Sequence, residues 1–95
     1  MATIIAGDFE WDDAKDAANL AKHGVAFSEA ATVFADPMAV YLDDGAGAGT
    51  MVVIGASLQE RLLFVVHVVR GTRDRIISAR KAEAPERAVY EGSVE

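Results

Sequence analysis

Eight consecutive residues, Leu62 to Val69, are apolar except for His67, and no other feature limits the fold so strongly. The run falls far short of the roughly 20 residues that cross a bilayer. Its Val, Leu and Phe content suits a strand over Leu62 to Arg70, and a strand this apolar lies inside a sheet rather than at its edge. Arg75 to Arg80 follows across a short turn at Gly71-Thr72 and forms its central neighbour. Met38 to Leu42 and Thr50 to Ala56, separated by the glycine-rich loop Asp44 to Gly49, read as a hairpin ahead of them.

The N-terminal third has a different period. Ile4 to Trp11 mixes β-branched and aromatic residues with alternating acids, as a short edge strand with one wet face does. From Asp13, Ala14, Ala17, Ala18 and Ala21 recur at i, i+3, i+4 and i+7, the apolar stripe of a packed helix. Asp12 or Asp13 caps its start, Lys22 and His23 suit the negative end of its dipole, and Gly24 stands at the C′ position. The helix is predicted over 13–23. Ser28 is the expected N-cap of a second helix, with Ala30, Val33 and Phe34 facing inward and Asp36-Pro37 stopping it. Pro85 opens a last short helix through Glu91, before a tail that frays. The predicted fold is one α+β domain over 1–95, ordered β-α-α-β-β-β-β-α, with an antiparallel meander.

Strict alternation sorts the central strands. Arg75 and Arg80 are expected on opposite faces. Leu62, Phe64, Val66 and Val68 form the fully apolar face and the expected core, which leaves His67 on the thinner face. His67 reads as a packed histidine, with proton transfer as the alternative.

Charge narrows the function classes. A net charge of −6 argues against a general basic coat for nucleic acid or anionic membrane. The balance is uneven: residues 1–60 carry ten carboxylates against Lys15 and Lys22, whereas residues 61–95 carry seven cations, six of them arginine, against five carboxylates. Arginine's planar fork suits phosphate or carboxylate, so the second half is a candidate anion-reading face and the expected attachment region for an acidic or amphipathic partner segment. With no cysteine, disulfides, thiolate metal sites and a thiol nucleophile are excluded. Neither a phosphate-binding glycine loop nor a metal-spaced His/Glu pair occurs, so no metal and no cofactor is expected. No basic, apolar leader opens the chain, and the expected compartment is the cytoplasm, with no membrane contact.

On the first helix Lys15, Asn19 and Lys22 form a polar ridge at i, i+4 and i+7, with Trp11 one turn before. Asn19 is a poor helix-interior residue, which calls for a local hydrogen bond or for a role in orienting a substrate or neighbour. Lys22-His23 ahead of Gly24 either complements the helix dipole or serves chemistry.

The string Phe9-Glu10-Trp11-Asp12, Lys15, Asn19, Lys22-His23-Gly24-Val25, Phe27, Glu29-Ala30, Val33-Phe34, Asp36-Pro37 resembles the BrnT toxin family. So do Ile54-Gly55, Arg61, Val65-Val66, Arg70, Arg75 to Arg80, Ala82, Glu86-Arg87 and Tyr90-Glu91. The resemblance implies a RelE-like α+β ribonuclease, the toxin of a type II toxin–antitoxin pair. It also implies neutralisation by a BrnA-type antitoxin, a ribbon-helix-helix DNA-binding repressor, in a toxin–antitoxin heterotetramer. Metal-free RNA cleavage needs a base, an acid and cations around the phosphorus. By resemblance Arg70 and Arg80 fill the cationic role, His23 is acid or base, and Lys22 or Lys15 holds phosphate. Trp11 offers a stacking face, and Asn19, Arg61 and Arg75 complete the RNA-binding set. Family members usually carry Asp-x-x-His and then Glu-Arg between the second and third strands, where this chain has only Asp43-Asp44 and a Gly/Ala loop. The alternative expectation is therefore a non-catalytic module of the same fold that binds antitoxin as a co-repressor.

Overall fold

The computed structural model describes residues 2–43 and 49–92. Six strands form one sheet: β1 Thr3–Ala6, β2 Phe9–Asp12, β3 Val40–Asp43, β4 Thr50–Ala56, β5 Leu62–Arg70 and β6 Arg73–Lys81. Helices α1 (Asp13–His23) and α2 (Phe27–Thr32), the latter continued by a 3₁₀ turn at Val33–Ala35, connect β2 to β3, and α3 (Ala84–Gly92) follows β6. The spatial order β1-β2-β6-β5-β4-β3 puts β5 and β6 at the centre, as the apolar run requires. β3 to β6 form the antiparallel meander, while β2 joins β6 in parallel through Phe9–Asp74 and Glu10–Arg75. The glycine-rich loop expected at Asp44 to Gly49 lies outside the described residues but for Gly49, and so does the tail after Gly92.

The segment read as one edge strand is a hairpin. Gly7 takes φ 60° at the first position of its two-residue turn, a conformation that favours glycine, and so β1 folds back on β2.

α1 has the expected bounds: Asp12 Oδ2 accepts the Lys15 N–H at 2.9 Å, and Gly24, at φ 71°, donates to the Leu20 carbonyl. Its packing face differs from expectation. Ala14, Ala17, Ala18 and Ala21 are all exposed, and Asn19 is the buried residue. The helix docks on the edge of β6 by hydrogen bonds rather than on an apolar stripe. Asn19 Nδ2 donates to the Ala79 carbonyl at 2.8 Å and to the Val25 carbonyl at 2.9 Å, and its Oδ1 accepts the Ala79 N–H at 3.1 Å. The side-chain amide thus supplies the pairing that a further strand would have given. Asp16 Oδ1 accepts the Phe27 N–H at 2.8 Å, so α2 is capped from α1 and begins at Phe27. Ser28, the expected cap, sits exposed inside the helix.

The core joins Trp11, Val25, Phe27, Ala30 and Val33 to Val53, Leu63, Val65, Ile76 and Ala79. The face of β5 that carries Leu63, Val65 and His67 is therefore the covered one, the reverse of the expectation from apolarity. His67 is accepted there because its Nδ1 lies 2.9 Å from Asp74 Oδ1 and its ring packs edge-on to Phe34, centroids 4.8 Å apart. The β5–β6 register steps from Val66↔Ser78 to His67↔Ile76, which leaves Ile77 as a bulge. Strict alternation fails at that point. Ile76 and Ala79 both face the core, and Arg75, Ser78 and Arg80 all share the opposite face with their partners Val68, Val66 and Phe64. Gly55 lets the 3₁₀ turn approach β4, since a Cβ there would stand 2.8 Å from Val33 Cγ1. Among the described residues no helix is long and apolar enough to cross a membrane.

Candidate functional site

The uncovered face of the sheet carries half-buried Phe64, Val66 and Val68, with the β6 side chains Arg75, Ser78 and Arg80 alongside. Both arginines are held by carboxylates. Arg75 Nη1 donates to Glu10 Oε2 at 2.6 Å. The Arg80 guanidinium lies 4.2 Å from the Phe64 ring centroid and grips Glu86 of α3 with two bonds, at 2.8 and 2.6 Å. Those bonds hold the Glu86 carboxyl below the usual glutamate range and raise Arg80 further. The far end of α3 is tied by Tyr90, whose hydroxyl donates to Asp36 Oδ2 at 2.7 Å. Burial pushes the Asp36 carboxyl up, but bonds from Ala56 N–H, Tyr90 O–H and Met38 N–H outweigh it and leave it lowered. The same bond to Asp36 raises the Tyr90 phenol.

Two clefts flank this strip. One, of about 250 Å³, is lined by Lys15, Asn19, Lys22 and His23 of α1 and by Ile77 and Ser78 of β6. The bulged residue Ile77 is one of the two β6 residues that line it. The other, of about 440 Å³, is lined by Arg61, Lys81, Arg87 and Tyr90 among others. Ser78 and Lys81 are three residues apart, about 10 Å along the strand, and Arg80 lies between them.

The expected site residues therefore fall into separate groups. Lys15, Lys22 and His23 meet in one cleft, beside Asn19. Asn19 is bonded to the backbone of Val25 and, 60 residues away, of Ala79, where a local bond or an orienting role was expected. Trp11 offers no stacking face: it is 5% exposed and packs edge-on to Phe27, because β2 turns it into the core. Arg61 fastens the start of β5 to α2, its Nε donating to Glu29 Oε2 at 2.8 Å and its Nη2 to Glu29 Oε1 and the Gly24 carbonyl. Glu29 is buried, takes a further bond from Ser57 Oγ, and is lowered chiefly by its bond to Arg61. Arg70 ends β5 opposite Arg73, six residues beyond Phe64 and hence about 20 Å from Arg80. The two arginines share no groove. Lys81, Arg87, Tyr90 and Asp36 escaped the sequence reading of the site. Only the i, i+4 spacing of Glu86 and Tyr90 places both on one face of α3, from which Glu86 reaches the sheet and Tyr90 the Asp36 carboxylate after the 3₁₀ turn. Among the described residues no cluster of His, Asp or Glu could hold a metal ion.

No curated protein matches the chain. The 1.1 Å crystal structure of the Brucella abortus ribonuclease toxin BrnT is similar to it, with a TM-score of 0.63 and 25% identity, over 77% of this chain and 92% of that one. The family model described as ribonuclease toxin, BrnT, of type II toxin–antitoxin system matches residues 11–86. Most of the sheet, α1, α2 and the start of α3 fall within that match, and the chain belongs to the BrnT family of ribonuclease toxins.

Proposed function

We propose that this chain cleaves RNA without a metal ion, on the strip of β6 between the two clefts, and that a BrnA-type antitoxin neutralises it. The observation that carries the reading is that Lys15, Lys22 and His23 of α1 line one cleft beside β6 while Lys81 of β6 and Arg87 of α3, with Glu60 and Glu91, line the other, and Arg80 lies on the strand between them. A base takes the 2′-hydroxyl proton, the 2′-oxygen attacks the adjacent phosphorus, and the 5′-oxygen leaves with a proton from an acid, giving a 2′,3′-cyclic phosphate. His23 serves as acid or base, Lys22 and Lys15 hold the phosphate, and Arg80 meets the charge that develops on its oxygens. Arg70 is too distant to share in that step. The antitoxin is a ribbon-helix-helix repressor, and the pair assembles as a heterotetramer in the cytoplasm, where translated RNA is available.

The test is incubation of partner-free protein with a defined RNA, with and without chelator and ribosomes. Cyclic-phosphate product that persists in chelator supports the reading, and its loss in chelator refutes metal independence. A folded protein that leaves RNA intact in every arm favours the second reading, a non-catalytic co-repressor. Two features favour that alternative: Arg61, Arg75 and Arg80 already hold carboxylates, and residues 43–50 contain no histidine or arginine.

A further inference from the structure

Among the described residues β1 is the one strand whose residues are all exposed, and there it pairs on one side only, with β2. Its outward backbone can be assigned. The Asp13 N–H donates to the Ala2 carbonyl, and the two-residue turn closes on Ala6 and Phe9. Bonded pairs alternate along an antiparallel ribbon, so Ala2, Ile4 and Ala6 turn their backbone groups toward β2, and Thr3 and Ile5 turn theirs outward. Short length apart, Thr3-Ile4-Ile5-Ala6 carries no feature that blunts a free edge: no charged residue, no proline and no bulge. Ile5 is 58% exposed. The ribbon is also held still at its tip, where Asp74 N–H donates to the Asp8 carbonyl and Arg73 Nε to the Gly7 carbonyl.

Charge says what would lie there. Residues 2–14 contain Asp8, Glu10, Asp12 and Asp13 and no lysine or arginine, and of these only Glu10 has a cationic partner among the described residues. Three of the six arginines of the second half, expected to draw the partner, are paired within the fold, with Glu29, Glu10 and Glu86. β1 itself precedes the residues matched by the family model. We propose that β1 is a strand-addition site for an extended antitoxin segment in which apolar residues alternate with lysine or arginine, making a seventh strand. The proposal rests on the reading that this chain has an antitoxin. Pairing with a second copy is disfavoured, because it would bring two acidic arms together.

The experiment is calorimetric titration of the full chain with its antitoxin, with amide hydrogen exchange on free and bound protein. Thr3 and Ile5 amides should become protected on binding. Ile5→Pro removes one outward N–H and leaves the β2 ladder whole, so it should weaken binding tenfold or more with the melting temperature unchanged. Asp8→Lys, which disturbs no backbone bond, should weaken binding about threefold and flatten its salt dependence. Unchanged affinity in both variants with Thr3 and Ile5 unprotected overturns strand addition and leaves the antitoxin reading standing. An antitoxin that does not bind the unaltered chain refutes both. Protection of the same amides in the free protein, with a dimer's mass, assigns the edge to a second copy and refutes the proposal.

Discussion

The two faces of the sheet are closed by different physics. On the covered face Trp11, Phe27, Val65 and Ile76 are removed from water, and the few polar groups are tied at short range: Asn19 to Ala79 and Val25, His67 Nδ1 to Asp74. On the open face Phe64, Val66 and Val68 stay half-buried, and the polar groups are arginine–carboxylate pairs. In a dry interior a broken hydrogen bond leaves its partner unsatisfied, so such bonds fix geometry. At a wet face an ion pair contributes little net stability, and a phosphate can take the carboxylate's place on the guanidinium. One face thus specifies the fold, and the other holds its arginines in ion pairs, of which the Arg80 pair is the more exposed to water.

The largest effect that tests this contrast belongs to Asn19. Asn19→Ala strands the N–H and C=O of Ala79 and the C=O of Val25. At about 1 to 3 kcal/mol per buried group, the loss should reach about 3 kcal/mol, or a fall of roughly 12 °C or more in Tm for a chain this short. A thermal melt shifted by less than about 4 °C would show that the amide does not clasp the sheet edge. Next comes Arg80 on the other face. Arg80→Ala should lower RNA cleavage about 10²-fold by removing transition-state stabilisation, while costing about 1 kcal/mol in stability. An intact cleavage rate would break the assignment of function to the open face. His67→Ala should do the opposite. It empties a buried site between Phe34 and Asp74, which costs about 2 kcal/mol by denaturant titration, and it leaves the cleavage rate of the folded protein unchanged.

How far the sequence revealed this division depends on what each residue answers to. The bounds of α1, β4 and β5 were legible because they follow from local chemistry: Asp12 and Gly24 as caps, a β-branched run ended by Gly71. Which face of β5 is covered was not legible. The more apolar face is the open one, because the core takes in a histidine whose Nδ1 meets Asp74, seven positions away, even though its buried Nε2 has no hydrogen-bond partner. The bulge at Ile77 leaves no mark in the alternation of Arg75 to Arg80, yet it decides that both arginines face the same way. Asn19 showed only as an anomaly in a helix. Its partner Ala79 is 60 residues distant, and a contact of that range is set by the fold, not by the neighbouring sequence. Of the candidate site, the grouping of Lys15, Lys22 and His23 was readable from helical spacing, whereas the placement of Tyr90 on Asp36 was not.

The smallest expected effect concerns acid and salt. Glu29 and Glu86 are held below the ordinary glutamate value of 4.5 by bonds from Arg61 and Arg80 respectively. A carboxyl whose pKa is lower folded than unfolded binds fewer protons in the folded state. It adds stability above its unfolded pKa, and that share is lost as pH falls through the folded value. Stability should therefore decline from about pH 5 downward. Glu86→Gln isolates the share of the open face: the amide keeps a hydrogen-bond acceptor near Arg80 but no charge. The variant should be about 1 kcal/mol less stable than the parent at pH 7, and the two curves should converge on acidification. Because the Arg80 side chain is 30% exposed, salt should screen the pair as well, and the gap at pH 7 should narrow in 0.5 M sodium chloride. A gap that stays at several kcal/mol in high salt would mean that Arg80 and Glu86 behave as a covered clasp like Asn19. A guanidinium held that firmly could not exchange its carboxylate for a phosphate, and the division between the faces would fail.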